Sequence, residues 1–466
     1  MPDLLTQLIN TFGTESVWTG KYLAGRAASY LEDEPLLAKA LLLPASTQDV
    51  AQMLQLCSAA GQPVVPHGGM TNLVSNTQTS ESEMAMSLER MDRVEEIDPL
   101  GGTITVQTGA ILQNVQQAAD AAGLFFPLDL PARESAVIGG LIGTNAGGLR
   151  VMRYGMMRDM ILGMEAVLSD GTILNMMNKM LKKNAGYDLK QLFIGSEGTL
   201  GIATRAVMRL WPKQPAVATA FLAIDRFEQV ANLLVLAKRC LGSQLSSFEV
   251  LWNAFYCLTT TPPASAVPPL RSDSPYYVLV ECLGQEQSEE QARMQSLLVK
   301  AAEADLYTQA VLAQSGSQRA ELWRVREDTR QIEAQYGQNF GFDVSLPISS
   351  MESYVQQIHM ELFEAFGPLK IWIFGHLADG NLHIHIWGDS IHFEKDHQRV
   401  EMIVYQPLQA IGGSISAEHG IGLRKKPYLA FSRTPEEITV MRQLKAVLDP
   451  RGILNPGKIF DPLEML

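Results

Sequence analysis

The chain has 466 residues, enough for two or more domains, because single hydrophobic cores stop growing near about 250–300 residues. Its 46% hydrophobic and 19% charged content belongs to a globular protein and argues against a disordered or fibrous one. A net charge of −13 argues against nucleic acid or an anionic membrane as partner, since both need basic patches, and leaves small acidic substrates open.

The N-terminus lacks a basic stretch followed by an apolar run, and no window of about 18 apolar residues exists, so the sequence predicts a cytoplasmic protein with no membrane span. STQDVAQMLQLCSAAG (46–61) begins with a hydroxyl cap, runs with helical period and ends at Gly61. QPVVPHGG then reads as a strand and a loop, GTITVQTG as a strand, and ILQNVQQAADAAG as a second helix closed by glycine. Near WPKQPAV (211–217) the composition changes. Beyond it FLAIDRF, PYYVLVECLG, FGFDVSLP, LKIWIFG and NLHIHIWG read as strands, separated by helices such as QSEEQARMQSLLVKAAEA. This order predicts an α+β sandwich, an antiparallel sheet with helices on one face. TPPASAVPPLRSDSP (261–275) is too rich in proline and serine to be anything but a loop. Cys57, Cys240, Cys257 and Cys282 form no CxxC pair and read as buried thiols of a reducing compartment.

Three segments are dense in glycine: VPHGGMTNL (65–73), VIGGLIGTNAGGLRVMRYG (137–155) and FIGSEGTLGI (193–202). None fits GxGxxG after a strand or GxxxxGK[ST], so neither a Rossmann fingerprint nor a P-loop is present. Each loop alone reads as a tight turn. Three of them together offer runs of bare backbone N–H groups, the kind of concave nest that holds phosphate oxygens.

Three of the eight histidines, His376, His383 and His385, fall within ten positions. In a strand NLHIHIW, residues 383 and 385 share a face and Ile384 and Ile386 take the other. A turn through ADGN returns the chain, so His376 at the end of LKIWIFG comes beside His383. Two imidazoles make half a metal site, and Glu418 of SAEHG would complete two histidines and one carboxylate. Two hydrogen-bonded core histidines would give the same spacing. In LWRVREDTRQIEA (322–334), read as one helix, Arg326 and Arg330 are four apart on one face; paired surface arginines would look alike.

The wording PxGGxTxL, IGGxxGTNAGG and GxEGTLGI, in this order, resembles FAD-linked oxidases of the vanillyl-alcohol-oxidase type, from about residue 40 to LNPGKIF at 454–460. GHxxDGNxH followed by SxEHG resembles their D-2-hydroxyacid dehydrogenase branch, which acts on D-2-hydroxyglutarate and D-lactate. The resemblance implies an α+β fold: a two-part FAD-binding domain over residues 1–213, a cap domain with an antiparallel sheet over 214–408, and a segment 409–466 that carries EHG and closes on the flavin. It implies FAD held non-covalently by Pro66, His67, Gly68, Gly69, Thr71, Asn72 and Leu73 at the pyrophosphate. Gly139, Gly140, Gly143, Thr144, Asn145, Gly147 and Gly148 would run toward the flavin, with Glu197, Gly198 and Ile202 near the adenine or ribityl chain and Asn455 at the ring. It implies a divalent metal, usually zinc, on His376, His383 and Glu418, with His419 as the base, Arg326 binding the substrate carboxylate, and Asp379 shaping the turn.

The chemistry suits those residue types. Oxidising a D-2-hydroxyacid to the 2-oxoacid removes the hydroxyl proton while a hydride leaves Cα for flavin N5. Zinc lowers the pKa of a bound water from about 15.7 to about 7. Even half that shift on an alcohol, about 6 kcal/mol, outweighs a single hydrogen bond. The sequence departs from the branch at Arg330, commonly a small or hydroxylated residue; at Gly341, where a lysine helps to hold a second carboxylate; and at His385, often asparagine. Arg330 and His385 are therefore the candidates for contact with the far end of the substrate, and a dicarboxylate and a short monocarboxylate both stay open. The absence of an iron–sulfur cysteine set implies a separate electron acceptor, an electron-transfer flavoprotein or a quinone. The branch commonly forms homodimers, although no segment here marks an interface. Two readings from other classes fit some of the same residues: a non-haem Fe(II) enzyme on the two-histidine-one-carboxylate set, which would need no flavin, and a flavin-binding subunit without hydroxyacid turnover.

Overall fold

The computed structural model describes residues 3–29 and 32–461. The chain forms two compact units: the first takes residues up to 148, 154–213 and those from 418 onward, and the second takes 149–153 and 214–417.

In the first unit the stretch 46–61 forms the helix Thr47–Ala60. Ser46 caps it by accepting from the Asp49 amide at 3.1 Å, and Gly61 ends it in the left-handed region at φ +64°. Val50, Met53 and Leu54 lie fully buried on one face of it. Burial of each contributes about 1.5–3 kcal/mol, so a charge at Leu54 would unseat the helix. The helix crosses from strand Ala40–Leu42 to strand Val64–His67, and both lie parallel to Met84–Ser87 between them. ALL and MAM are unbroken apolar runs because parallel strands of this kind are covered on both faces. A second sheet is antiparallel, in the order Ile173–Met176, Ile161–Val167, Ile202–Arg209, Thr103–Gln107, Val94–Asp98. The helices Leu112–Ala121 and Ile138–Thr144 share its core.

The far end of the chain returns to the first of these sheets. Beyond the helix Pro435–Leu448, the Asp449 carboxylate accepts from the amides of Ile453 and Leu454. Val64 N–H then donates to Ile453 O and Asn455 N–H to Val64 O, each at 2.8 Å. Lys445 Nζ donates to the carbonyls of Thr199 and Leu454, which fixes this return against the GSEGTLG turn.

The second unit carries one seven-stranded sheet in the order Gln309–Leu312, Ala216–Ile224, Tyr276–Gly284, Leu245–Trp252, Lys370–His376, Asn381–Trp387, Phe340–Ser345. Every neighbouring pair is antiparallel. The expectation of helices on one face needs correcting. Phe221, Leu251, Tyr277, Leu279, Trp372 and Phe374 pack with side chains of the helices Asn253–Thr260, Gly316–Glu327 and Arg330–Tyr336. The alternating residues Leu222, Val250, Val278 and Val280 are fully buried too, and the helices Phe227–Leu241 and Gln287–Glu303 contact those strands. YVLV is apolar at every position, not every second one, because both faces of this antiparallel sheet are covered.

The chain stays in the second unit through Ala417, since Ser414 and Ser345 exchange backbone hydrogen bonds of 2.7 and 3.0 Å. Cys57 and Cys282 are buried, which pushes each thiol up to about 12, whereas Cys240 and Cys257 are only half-buried. Among the described residues no helix is long and apolar enough to cross a membrane.

Candidate active site

The glycine-dense segments of the first unit converge. A Cβ on Gly68 would lie 3.2 Å from Gly140 Cα, and one on Gly69 would lie 2.0 Å from Ser135 O. The loop after strand Val64–His67 therefore runs backbone against backbone on 135–140, a packing that any side chain at 69 would prevent. Residues 138–144 form a short helix, where the sequence suggested a loop; Asn145 ends it in the left-handed region at φ +51° and accepts from the Arg158 amide through Oδ1. Thr144 Oγ1 donates back to Gly140 O. The third segment joins through Glu197 N–H, which donates to Gly143 O at 2.8 Å, and through Gly198, set against Pro66. Asn455 closes the set: its Nδ2 donates to Glu197 O at 2.7 Å and to Asn76 O at 3.2 Å. Bare backbone from three segments at one place fits a phosphate-bearing cofactor.

Several expected cofactor residues shape this cradle from within. Asn72 Oδ1 accepts from the Asn76 amide and its Nδ2 donates to Thr77 Oγ1, holding the loop that carries Thr71 and the exposed Leu73. His67 Nε2 donates to Thr77 O at 3.0 Å, and burial pushes its pKa down to about 4, so the ring is neutral near neutral pH. Gly147 and Gly148 are buried; a Cβ on Gly148 would meet Asp129 O at 2.0 Å. The Ile202 side chain packs in the core with Val64 and Val167.

In the second unit the sheet register assembles a cluster on one face. His383 and His385 alternate with the fully buried Ile384 and Ile386, and His376 reaches His383 with ring centroids 5.5 Å apart. Each of the three histidines has a defined partner directly across the ladder. Glu249 stands opposite His376, Asp343 opposite His383, and Gly341 opposite His385.

Glu249 is 1% exposed and accepts two charge-assisted bonds, from His376 Nδ1 at 2.8 Å and from Arg326 Nε at 2.8 Å. Burial alone would raise its pKa, but the charges of His376 and Arg326 prevail and hold it below the ordinary carboxylate range. Asp343 is fully buried and accepts from Asn381 Nδ2 at 2.8 Å and from Ala417 N–H at 3.1 Å, with His383 Nδ1 at 4.0 Å. Asp379 Oδ1 accepts from the Asn381 amide in the connecting turn.

Arg326 is buried, with its guanidinium 4.7 Å from the Phe374 ring centre. Arg330 does not share its helix face, which corrects the single helix expected over 322–334. One helix ends at Glu327 and the next begins at Arg330. Asp328 leaves the helical region at ψ +51°, and its side chain accepts from Gln331 Nε2 in the helix that follows. Arg330 is exposed. His385 stacks on Phe374 at 5.8 Å and 9°, with Nδ1 2.8 Å from Asn339 Oδ1.

The EHG loop begins the last stretch of the first unit. The buried Glu197 carboxylate accepts from Ile421 N–H at 2.7 Å and Gly422 N–H at 2.9 Å; burial raises its pKa against the pull of those two amides. Glu197 thus acts through its side chain on the loop that carries Glu418 and His419. Glu249 and Asp343 were missed in the sequence. Their one signal there is a lone acid inside an apolar strand, as in SSFEVLW and FGFDVS, since an unpaired charge is not tolerated in such a place.

Comparison with known proteins agrees with this geometry. Residues 38–177 match the family model described as an FAD binding domain, and residues 213–459 match that of the FAD linked oxidases, C-terminal domain. The chain is 37% identical over 422 residues to the mitochondrial D-2-hydroxyglutarate dehydrogenase of Arabidopsis thaliana, covering 91% of this chain and 75% of that protein. It is also 37% identical to the D-2-hydroxyglutarate dehydrogenase of Xanthomonas citri pv. viticola, over 91% of this chain and 89% of the other. Among solved structures, p-cresol methylhydroxylase superposes with a TM-score of 0.79 at 14% identity, covering 98% of this chain and 96% of that one, which speaks for the fold alone. The fold and the glycine cradle define a flavin-dependent oxidoreductase of the vanillyl-alcohol-oxidase type. The chain belongs to the FAD-linked oxidases, on the branch of the D-2-hydroxyacid dehydrogenases.

Proposed function

We propose that the protein oxidises a D-2-hydroxyacid to the 2-oxoacid with FAD as electron acceptor and a divalent metal, zinc, held by His376, His383 and Glu418. The observation that carries this reading is the buried Glu249, which bonds a histidine of the pair and an arginine at once. Such a carboxylate fixes one imidazole nitrogen so that the other is aimed outward as a ligand, and orients the guanidinium fork. Two imidazoles and a carboxylate are a donor set suited to zinc with open positions left for substrate. Glu418 follows directly on Ala417, whose amide is bound to Asp343, the residue opposite His383.

Arg326 takes the substrate carboxylate through its two terminal nitrogens, since Nε is already engaged. His419 accepts the hydroxyl proton, a task suited to an imidazole with a reference pKa near about 6.5. A metal at the site would lower the pKa of that hydroxyl. FAD, when bound, accepts the hydride from Cα. The two electrons pass on to a separate acceptor, an electron-transfer flavoprotein or a quinone.

The names of the relatives favour a D-2-hydroxyglutarate-like dicarboxylate, its far end met by His385 and Arg330. One observation favours a D-lactate-like monocarboxylate instead: the break at Asp328 takes Arg330 off the face that carries Arg326.

The deciding experiment is anaerobic bleaching of the flavin near 450 nm by a panel of D- and L-2-hydroxyacids, before and after chelation. Bleaching by one D-acid, lost with chelator and restored by zinc, is the expected result. A yellow protein that no hydroxyacid bleaches would overturn the reading in favour of a non-catalytic flavin subunit. Bleaching that ignores the chelator would remove the metal from it.

A further inference from the structure

The ion pair at Glu249 joins two groups with different tasks. Its carboxylate stands opposite His376 in the ladder and meets Nδ1 at 2.8 Å, while Oε2 meets Arg326 Nε, also at 2.8 Å. Glu249 is 1% exposed, and Arg326 and His376 are 5% and 6% exposed, so water is a poor substitute for any of the three. Phe374 backs the group: the Arg326 guanidinium packs on its ring, and it is two residues from His376 on the same strand face. The carboxylate fixes the proton of His376 on Nδ1 and thereby assigns coordination to Nε2. It also fixes the plane of the Arg326 fork by its Nε–H.

We propose that Glu249 is a positioning residue that joins His376, as a zinc ligand, to Arg326, as the carboxylate anchor, so that metal affinity and hydroxyacid affinity both depend on one buried side chain. This rests on the roles given to His376 and Arg326 above. Glu249 touches neither substrate nor cofactor; it acts through its two neighbours. The glutamine variant keeps the shape but has one accepting oxygen, and it turns an N–H₂ group toward a partner that is itself a donor. The aspartate variant keeps the charge but is one methylene too short to reach both partners.

The test uses the flavin-loaded full chain, stripped of metal and titrated with Zn²⁺ against a chromophoric chelator, followed by steady-state kinetics at saturating zinc. Glu249→Gln is expected to weaken zinc binding by about 10–100-fold, the usual consequence of losing the partner behind a ligating histidine. At saturating zinc its KM for the hydroxyacid is expected to rise by more than kcat falls, through the loosened Arg326. Arg326→Met separates the two arms: KM rises while zinc affinity holds, because Glu249 still grips His376. A purely structural ion pair would leave zinc affinity of the folded, flavin-loaded variant at the wild-type value, and that result would overturn the proposal. If Glu249→Gln does not accumulate as flavin-loaded protein, Glu249→Asp carries the same test: a loss of zinc affinity supports the proposal and unchanged affinity overturns it. Failure of the wild-type protein to bind zinc would instead remove the metal reading on which the proposal stands, a distinct outcome.

Discussion

Gly341 and His385 stand directly opposite each other on neighbouring antiparallel strands, and a Cβ on Gly341 would sit 3.3 Å from His385 Cε1. The imidazole therefore covers the ground that a side chain at 341 would use. It is fixed there by Asn339 and by its stacking on Phe374. Gly341→Ala alone is expected to displace the ring, and His385→Asn to relieve the contact. A double-mutant cycle on urea unfolding should show a coupling of about 0.5 kcal/mol or more between the two changes. Simple additivity would mean that the ring yields freely and does not set what position 341 can hold.

His67 should leave a mark on the acid stability of the protein. Burial lowers its folded pKa to about 4, against about 6.5 when unfolded, so the unfolded chain takes up the proton first. The stability it contributes is fully present above pH 6.5, falls as pH drops, and is lost by about pH 4. The shift corresponds to about 3 kcal/mol. His67→Gln should flatten the pH dependence of unfolding free energy between pH 6.5 and 4 by about one proton. An unchanged slope would place the acid sensitivity elsewhere.

Glu197 holds the loop after EHG by two amides, and a glutamine there has one oxygen to offer them. Glu197→Gln should cost about 1–3 kcal/mol, the penalty for one buried donor left unmet. Limited proteolysis should then cut more readily near residues 418–424. Wild-type resistance of that loop in a variant that still binds flavin would mean that other contacts hold it.

His419→Asn should slow flavin reduction by D-2-hydroxyacid by about 10²–10⁴-fold, the usual contribution of a positioned base. Flavin content should not change. A variant that keeps near wild-type rates would move the proton to another acceptor.

Much of the site was legible because it is written in short periods. Alternation puts His383 and His385 on one face and Ile384 and Ile386 on the other, and the structure agrees. The helix over 47–60 was legible from its Ser46 cap and Gly61 stop. What stayed hidden depends on partners distant in the chain. Glu249 lies 127 positions from His376, and although a lone acid in SSFEVLW signals a buried partner, nothing local says which residue that is. The break between Arg326 and Arg330 was hidden for a different reason. Val325 and Ile332 stand seven apart, a spacing that a single helix would also give, while the backbone turns at Asp328 between them. The second covered face of the large sheet was signalled by the unbroken YVLV, which an alternating pattern would have excluded.

The first unit is interrupted: its strand Val64–His67 is completed by Ile453 and Asn455, and the whole of 214–417 is translated in between. At about 5–20 residues per second, roughly two hundred intervening residues take on the order of 10–40 s to emerge from the ribosome. For that interval the nascent chain carries its glycine segments without the residues that close them. Asn455, which ties the third segment in place, emerges only after the whole of the second unit. A chain that stopped before residue 455 would carry all three glycine segments without the side chain that ties Glu197 to the loop at Asn76.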